Sequence, residues 1–189
     1  MMNKDNRCGW VGQDPLYIAY HDSEWGIPVY DSRALWEKLT LEGFQAGLSW
    51  ITILKKRDNF RRAFAGFDPN VIADWGVDQV ETLMQDSGII RHRGKIEATI
   101  GNAKAWQNIE KSQGFDTFLW RYTDYKPIIN DWTTLSEVPA QTPLSQQISR
   151  DLKAAGFKFC GPTIVYAFLQ ASGMVNDHLV GCPARELRR

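Results

Sequence analysis

The chain has 189 residues, 43% hydrophobic and 23% charged, and its 22 lysines and arginines balance 22 aspartates and glutamates to a net charge of zero. Such a chain suits a single globular domain, 1–189, that buries its core without disulfides; the zero net charge argues against a polycation that coats nucleic acid, though not against a local basic face. Three scattered cysteines make no disulfide framework. With neither a signal-peptide h-region nor an 18-residue apolar run, the expectation is a soluble, cytoplasmic monomer with no membrane partner.

In chain order, the first notable residues are Cys8 and His21, which match His178 and Cys182 at the far end. The spacings are Cys-x12-His and His-x3-Cys, and the second pair is expected on one face of a helix turn. One Zn²⁺ held by all four would tie the two ends together. Two thiolates and two neutral imidazoles fill a tetrahedral shell and leave no place for water, so the site would be structural. Two buried thiols and two unrelated histidines are the alternative, because so wide a separation matches no compact finger.

Half of the eight tryptophans fall in the first 50 residues, and Trp10, Tyr17, Tyr20, Trp25, Trp36 and Trp50 form an aromatic-rich segment. Trp36 reads as core, whereas Trp and Tyr near a metal can also stack on a planar base, preferably a cationic one. Asp31-Ser32 opens a helix carrying Leu35, Leu39 and Glu42 and ending near Gly47. Glu42 stands among apolar and small residues. It is either a solvent-facing helix carboxylate or one that accepts hydrogen bonds from an exocyclic amine and balances a nearby positive charge.

Ser49 caps the next predicted helix, with Ile51, Leu54 and a basic cluster of Lys55, Lys56, Arg57, Arg61 and Arg62. Asp68-Pro69 pairs an N-cap with proline at the first helical position, and Asp78-x-x-Glu81 reads as a capping box opening a helix that stops at Gly88. The helix that follows carries Ile96, Ile100 and Ala103 at i, i+4 and i+7, with a second basic cluster, Arg91, His92, Arg93 and Lys95, at its start. Thr142-Pro143 begins a helix through Leu144, Ile148 and Leu152 that Gly156 stops, and Pro162 begins a core helix through Ile164, Val165, Phe168 and Leu169 that Gly173 ends. Positions 123–142 form the most irregular stretch. The predicted class is all-α, with little period-2 alternation to support a sheet.

Around 78–105 the pattern is helix, tight turn at Ser87-Gly88-Ile89-Ile90, then helix: a helix-hairpin-helix. Backbone N–H groups at such a turn and at the second helix's start can grip a phosphate without reading sequence, helped by Arg or Lys. A plain helical hairpin gives the same pattern, and a basic run is often only a solvated face.

Several blocks carry a further resemblance: Arg7-Cys8-Gly9-Trp10, Asp14 to Gly26, Glu42 to Trp50, Gly88 to Ile96 and Val175-Asn176-Asp177-His178. From about Arg7 to Cys182 the chain resembles the DNA-3-methyladenine glycosylase I family of the helix-hairpin-helix glycosylase superfamily. The resemblance implies an all-helical glycosylase fold with a structural zinc on Cys8, His21, His178 and Cys182. It implies that Glu42 contacts the amino edge of a flipped base, with Trp10, Tyr20 and Trp50 around it and Tyr17 and Trp25 close by. Gly47 and Leu48 would approach the gap left in the duplex, while Gly88, Arg91, Arg93 and Lys95 would hold its backbone. The partners implied are double-stranded DNA containing 3-methyladenine and the free base as product. The hairpin departs from many superfamily members in carrying Ile90 in place of a second glycine, and no counterpart of the superfamily's catalytic aspartate follows it. The competing readings are a metal-dependent nuclease and a zinc-stapled module that binds nucleic acid without chemistry.

Overall fold

The structure, a computed structural model, describes residues 6–186. In chain order the helices are α1 (Pro15–Ser23), α2 (Ser32–Gln45), α3 (Trp50–Ala63), α4 (Pro69–Ile72), α5 (Val77–Gln85), α6 (Arg93–Gln113), α7 (Phe115–Trp120), α8 (Pro143–Ala154), α9 (Pro162–Ala171) and α10 (Pro183–Glu186). Asp31 caps α2 by accepting from Ala34 N at 2.7 Å, and Asp68 caps α4 by accepting from Asn70 N at 3.0 Å. The helix start predicted at Thr142-Pro143 forms, and Thr142 and Ser145 are hydrogen-bonded reciprocally there in a capping box not read from the sequence.

α6 is the longest helix. Ile96, Ala103 and Ile109 line the buried face of α6, as the 3.6-residue period requires. α2 packs on α3, α6 and α9, with Leu35, Trp36, Leu39, Leu41 and Phe44 buried. Beside it, Phe44, Phe60, Phe64 and Phe67 form a chain of rings with centroids 4.7 to 5.9 Å apart. Aromatic pairs in such geometries add about 0.5–1.5 kcal/mol each beyond their burial, so the C-terminal end of α2, at Phe44, is held against the end of α3. Gly173, at φ 69°, lets the end of α9 touch the segment after α1, where an added Cβ would lie 2.2 Å from the Ile27 carbonyl carbon.

Several expectations need correction. The fold is mostly helical, yet Ile128–Ile129 and Val175–Asn176 pair as a two-residue parallel ladder inside and beyond the irregular stretch. His178 and Cys182 do not share a helix; they flank a turn in which Cys182 N donates to Leu179 O at 2.9 Å and Gly181 adopts φ 89°. Asp78 and Glu81 form no capping box: Gly76 is the N-cap of α5, and Glu81 instead holds Arg93 at 2.7 Å. Ser49 stands at the N-cap of α3, but its hydroxyl bonds Thr52 Oγ1 rather than a backbone N–H. The short helices α1, α7 and α10 were not predicted, although Asp14-Pro15 has the same chemistry as Asp68-Pro69, and Asp14 accepts from Leu16 N. Among the described residues, no helix is long and apolar enough to cross a membrane.

Candidate functional site

A cavity of about 200 Å³ opens between α1, α2, α9 and the start of α3. It is smaller than the roughly 300–1,000 Å³ of typical sites for drug-sized ligands, a scale suited to one small ring system. Its lining brings together all six pocket residues inferred from sequence: Trp10, Tyr17, Tyr20, Trp25, Glu42 and Trp50. Trp10 stands 4.9 Å from Trp25 at 71° and 5.0 Å from Tyr17, while Tyr20 leans on Trp50 at 5.5 Å. Trp36 lies apart, fully buried in the core. The Trp50 indole N–H is buried without a hydrogen-bond partner among the described residues.

Glu42 projects into this aromatic box from the buried face of α2 and is 4% exposed. Burial, opposed by the nearby positive charge of Lys38, pushes its carboxyl up to about 8. No donor among the described residues hydrogen-bonds it, so no protein partner offsets the burial of this carboxyl group. That arrangement favours whatever guest brings a positive charge or an N–H edge. It also costs stability in a defined window. The folded carboxyl titrates above its unfolded value, so the native state retains a proton that the unfolded chain has already lost between about pH 4.5 and about pH 8. Stability should therefore fall as pH rises through that window, by on the order of a few kcal/mol, and Glu42→Gln should remove the fall. Urea unfolding of both proteins at pH 5 and pH 8.5 measures this; identical pH dependence would show that Glu42 is not the group concerned.

Gln45, Val138, Ala167, Gln170 and Asp177 also line the cavity and escaped the sequence reading. Asp177 is the second carboxylate there, and its environment is opposite to that of Glu42. Asn130, Trp132, Tyr166 and Gln170 all donate to it, at 2.7, 2.8, 2.5 and 2.8 Å. With four donors its oxygens are engaged, and it ties α9 to the strand before His178. Its place in the run Asn176-Asp177-His178 was the one available signal.

Behind the aromatic wall, Cys8, His21, His178 and Cys182 converge, all buried, with ligand atoms within 4.8 Å of one another. The Cys182 Sγ lies 3.6 Å from His21 Nε2 and from His178 Nδ1, and Cys8 Sγ lies 3.8 Å from His178 Nδ1. A tetrahedron with Zn–S near 2.3 Å and Zn–N near 2.0–2.1 Å separates S and N by about 3.5–3.6 Å, so the donor set fits a closed tetrahedral ion. The remaining ring nitrogens are already oriented. His178 Nε2 meets the Trp25 carbonyl at 3.0 Å, which accepts only, so that nitrogen carries the proton and a neutral ring leaves Nδ1 its lone pair. His21 Nδ1 meets Asp22 at 2.7 Å, and Arg7 holds that carboxylate in turn. The mutual hydrogen bond of the two thiols pushes Cys8 up and pulls Cys182 down, leaving one shared proton that a divalent cation would displace. Both imidazoles contact the Trp25 ring, His178 edge-on at 4.6 Å, so the cluster braces the pocket wall.

Across the molecule, α5, the turn at 86–92 and α6 form the hairpin. The N–H groups of Ile90, Arg91, Arg93 and Gly94 donate to no acceptor among the described residues, and Arg91 and Arg93 are exposed beside them. Gly88 is folded inward, its N–H on Asp86 at 2.7 Å and its carbonyl on Asn59. Lys95 does not join the exposed arginines. It is 6% exposed and its ammonium points back to α2. The first basic cluster is largely neutralised, with Lys55 on Asp14, Arg57 on Glu24 and Arg61 on Glu37. Between hairpin and pocket, Gly47 at φ 83° shapes a turn that leaves Leu48 39% exposed at its tip.

A family model for methyladenine glycosylases matches residues 10–186. The chain belongs to the methyladenine glycosylase family. It is 56% identical over 177 residues to the DNA-3-methyladenine glycosylase 1 of Escherichia coli, covering 93% of this chain and 95% of that one. It is 51% identical over 180 residues to the DNA-3-methyladenine glycosylase of Haemophilus influenzae, covering 95% and 97%. Among solved structures, the 3-methyladenine DNA glycosylase I of Staphylococcus aureus superposes with a TM-score of 0.93 at 40% identity, covering 96% of this chain and 97% of that one.

Proposed function

We propose that this chain is a monofunctional DNA glycosylase that hydrolyses the N-glycosidic bond of 3-methyladenine in alkylated duplex DNA, releasing the free base and leaving an abasic site. The observation that carries the reading is Glu42, a buried carboxyl without a donor inside an aromatic box sized for one base. Alkylation at N3 makes adenine cationic while it is still attached to the sugar. It leaves as a neutral base when the glycosidic electron pair moves onto it, and water adds at the sugar carbon and releases a proton. Little general-acid help is needed, and selection resides in binding. Extruding a base costs about a few kcal/mol, least for damaged bases; stacking on Trp10, Tyr20 and Trp50 and the Glu42 carboxylate would offset this for the cation. Ordinary adenine brings no charge to the same site. A tyrosine-to-phenylalanine variant of a related 3-methyladenine DNA glycosylase I has been solved in complex with 3-methyladenine, which supports 3-methyladenine as the base bound.

In this reading the chain is one domain and acts as a monomer in the cytoplasm. One structural Zn²⁺ is held by Cys8, His21, His178 and Cys182, and it supplies cross-linking rather than chemistry, since four protein ligands leave no open position. The segment at about 78–105 serves as a helix-hairpin-helix, gripping a phosphate through its unpaired N–H groups with Arg91 and Arg93 alongside, while Gly47 and Leu48 enter the gap left by the flipped base. Incubating the protein with methylated duplex should release free 3-methyladenine and produce strand breaks only after alkali. Breaks without alkali would favour a nuclease, and binding without product a passive module.

The hairpin assignment has its own test. Arg93→Glu should weaken binding to damaged and undamaged duplex alike and flatten the salt dependence of log K by about one unit. Unchanged affinity and slope would remove Arg93 from the interface.

A further inference from the structure

Lys95 is a basic residue of the hairpin whose ammonium is turned inward. Its Nζ donates to Phe44 O at 2.8 Å and to Ala46 O at 2.7 Å, the carbonyls at the C-terminal end of α2. Phe44 O belongs to the last turn of α2, at the negative end of the helix dipole, and Ala46 O to the C-cap residue, where ψ of 118° turns the chain out of the helix; the ammonium satisfies both. No carboxylate pairs with Lys95 among the described residues, and burial lowers its affinity for the proton. A buried cation without an acidic partner costs stability, which the two charge-assisted hydrogen bonds to these carbonyls offset.

What the ammonium adds is geometry. Phe44 and Ala46 lie between Glu42 and Gly47. The next turn is closed on itself, Leu48 N donating to Gln45 O at 2.7 Å and Gln45 Nε2 to Leu48 O at 2.8 Å, and Gln45 also lines the pocket. On the other side, the backbone of Lys95 belongs to the first turn of α6, one residue past the unpaired N–H of Gly94. One side chain therefore joins the phosphate-facing end of the hairpin to the segment that carries Glu42 and Leu48.

We propose that Lys95 is a positioning residue that fixes the distance between the hairpin's phosphate anchor and the Glu42–Leu48 segment, so that gripping the backbone places the flipped base in the pocket. This rests on the glycosylase reading above. The Lys95→Met variant keeps the unbranched apolar stem as far as the ε position and removes the ammonium with both of its hydrogen bonds. The expected result is near-normal affinity for undamaged duplex, near-normal binding of free 3-methyladenine, and single-turnover excision lower by up to about a hundredfold, the cost of misplacement by about 1 Å. A fluorescent base analogue stacked beside the lesion should report less extrusion in the same proportion. Equal losses of duplex affinity and excision with a salt slope flatter by about one unit would make Lys95 a phosphate contact and overturn the proposal. Wild-type excision would overturn it as well, as would loss of free-base binding, which marks a merely structural role. If Lys95→Met does not fold, Lys95→Gln, which retains an amide donor, is judged by the same ratio of excision to affinity. Wild-type protein run in parallel separates this question from the glycosylase reading, which alone would fail if it released no base.

Discussion

Glu42→Gln should lower single-turnover excision of 3-methyladenine by roughly tenfold to 150-fold while leaving affinity for DNA containing an abasic-site analogue close to wild type. The range follows from losing a charge-assisted hydrogen bond worth about 1.5–3 kcal/mol, expressed in the transition state. Glutamine keeps the shape and one acceptor oxygen, so the effect isolates charge. In the free protein burial keeps the carboxyl protonated up to about pH 8, with Lys38 opposing, and the bound cation would supply the counter-charge that no side chain provides. Excision at limiting substrate should accordingly rise with pH toward 8 in the wild type, and the Gln variant should lose that limb. The abasic analogue has no base to meet Glu42, which makes it the control for folding and backbone grip. Wild-type excision by the folded, metal-loaded variant would end the role assigned to Glu42.

Cys182→Ala should remove bound metal and lower the melting temperature by about 8–16 °C. An ion held about a thousandfold above its dissociation constant stabilises the native state by about 4 kcal/mol, and each kcal/mol moves a domain of this size by about 2–4 °C. The loss should be felt at the pocket, because His21 and His178 pack against Trp25 and the His178 imidazole donates to its carbonyl. Free-base binding should therefore weaken together with metal content, whereas the hairpin, built on α5 and α6, should keep its affinity for undamaged duplex. If excision vanished while metal content, melting temperature and DNA binding all stayed normal, the cluster would be a catalytic centre and the structural assignment would be wrong.

The parts of this architecture that local chemistry controls were legible before any coordinates. Asp31, Asp68 and Thr142 start helices through bonds within three residues, and Ile96, Ile100 and Ala103 announce the buried face of α6 by spacing alone. The aromatic residues of the pocket were visible because they crowd a short stretch around α1 and α3. Features set by distant backbone were not visible. Nothing in the residue types near Lys95 reveals that the carbonyls of Phe44 and Ala46, some fifty positions away, will capture its ammonium. His-x3-Cys imitates the i, i+4 face of a helix, yet Gly181 at positive φ turns the chain and delivers the same two ligands from a loop. Asp177 and Val138 reach the cavity from irregular or two-residue elements, for which period carries no signal.

The claim that the Glu42 cavity receives the excised base is tested most directly by titrating the protein with free 3-methyladenine and following its indole N–H resonances. Saturable shifts should occur at Trp10, Trp25 and Trp50, which line the cavity, and not at Trp75 or at Trp106, which opens onto a separate surface depression with Asn70 and Gln107. Shifts at Trp106 or Trp75 with Trp10 and Trp50 unmoved, or no saturable shift at all, would contradict the account.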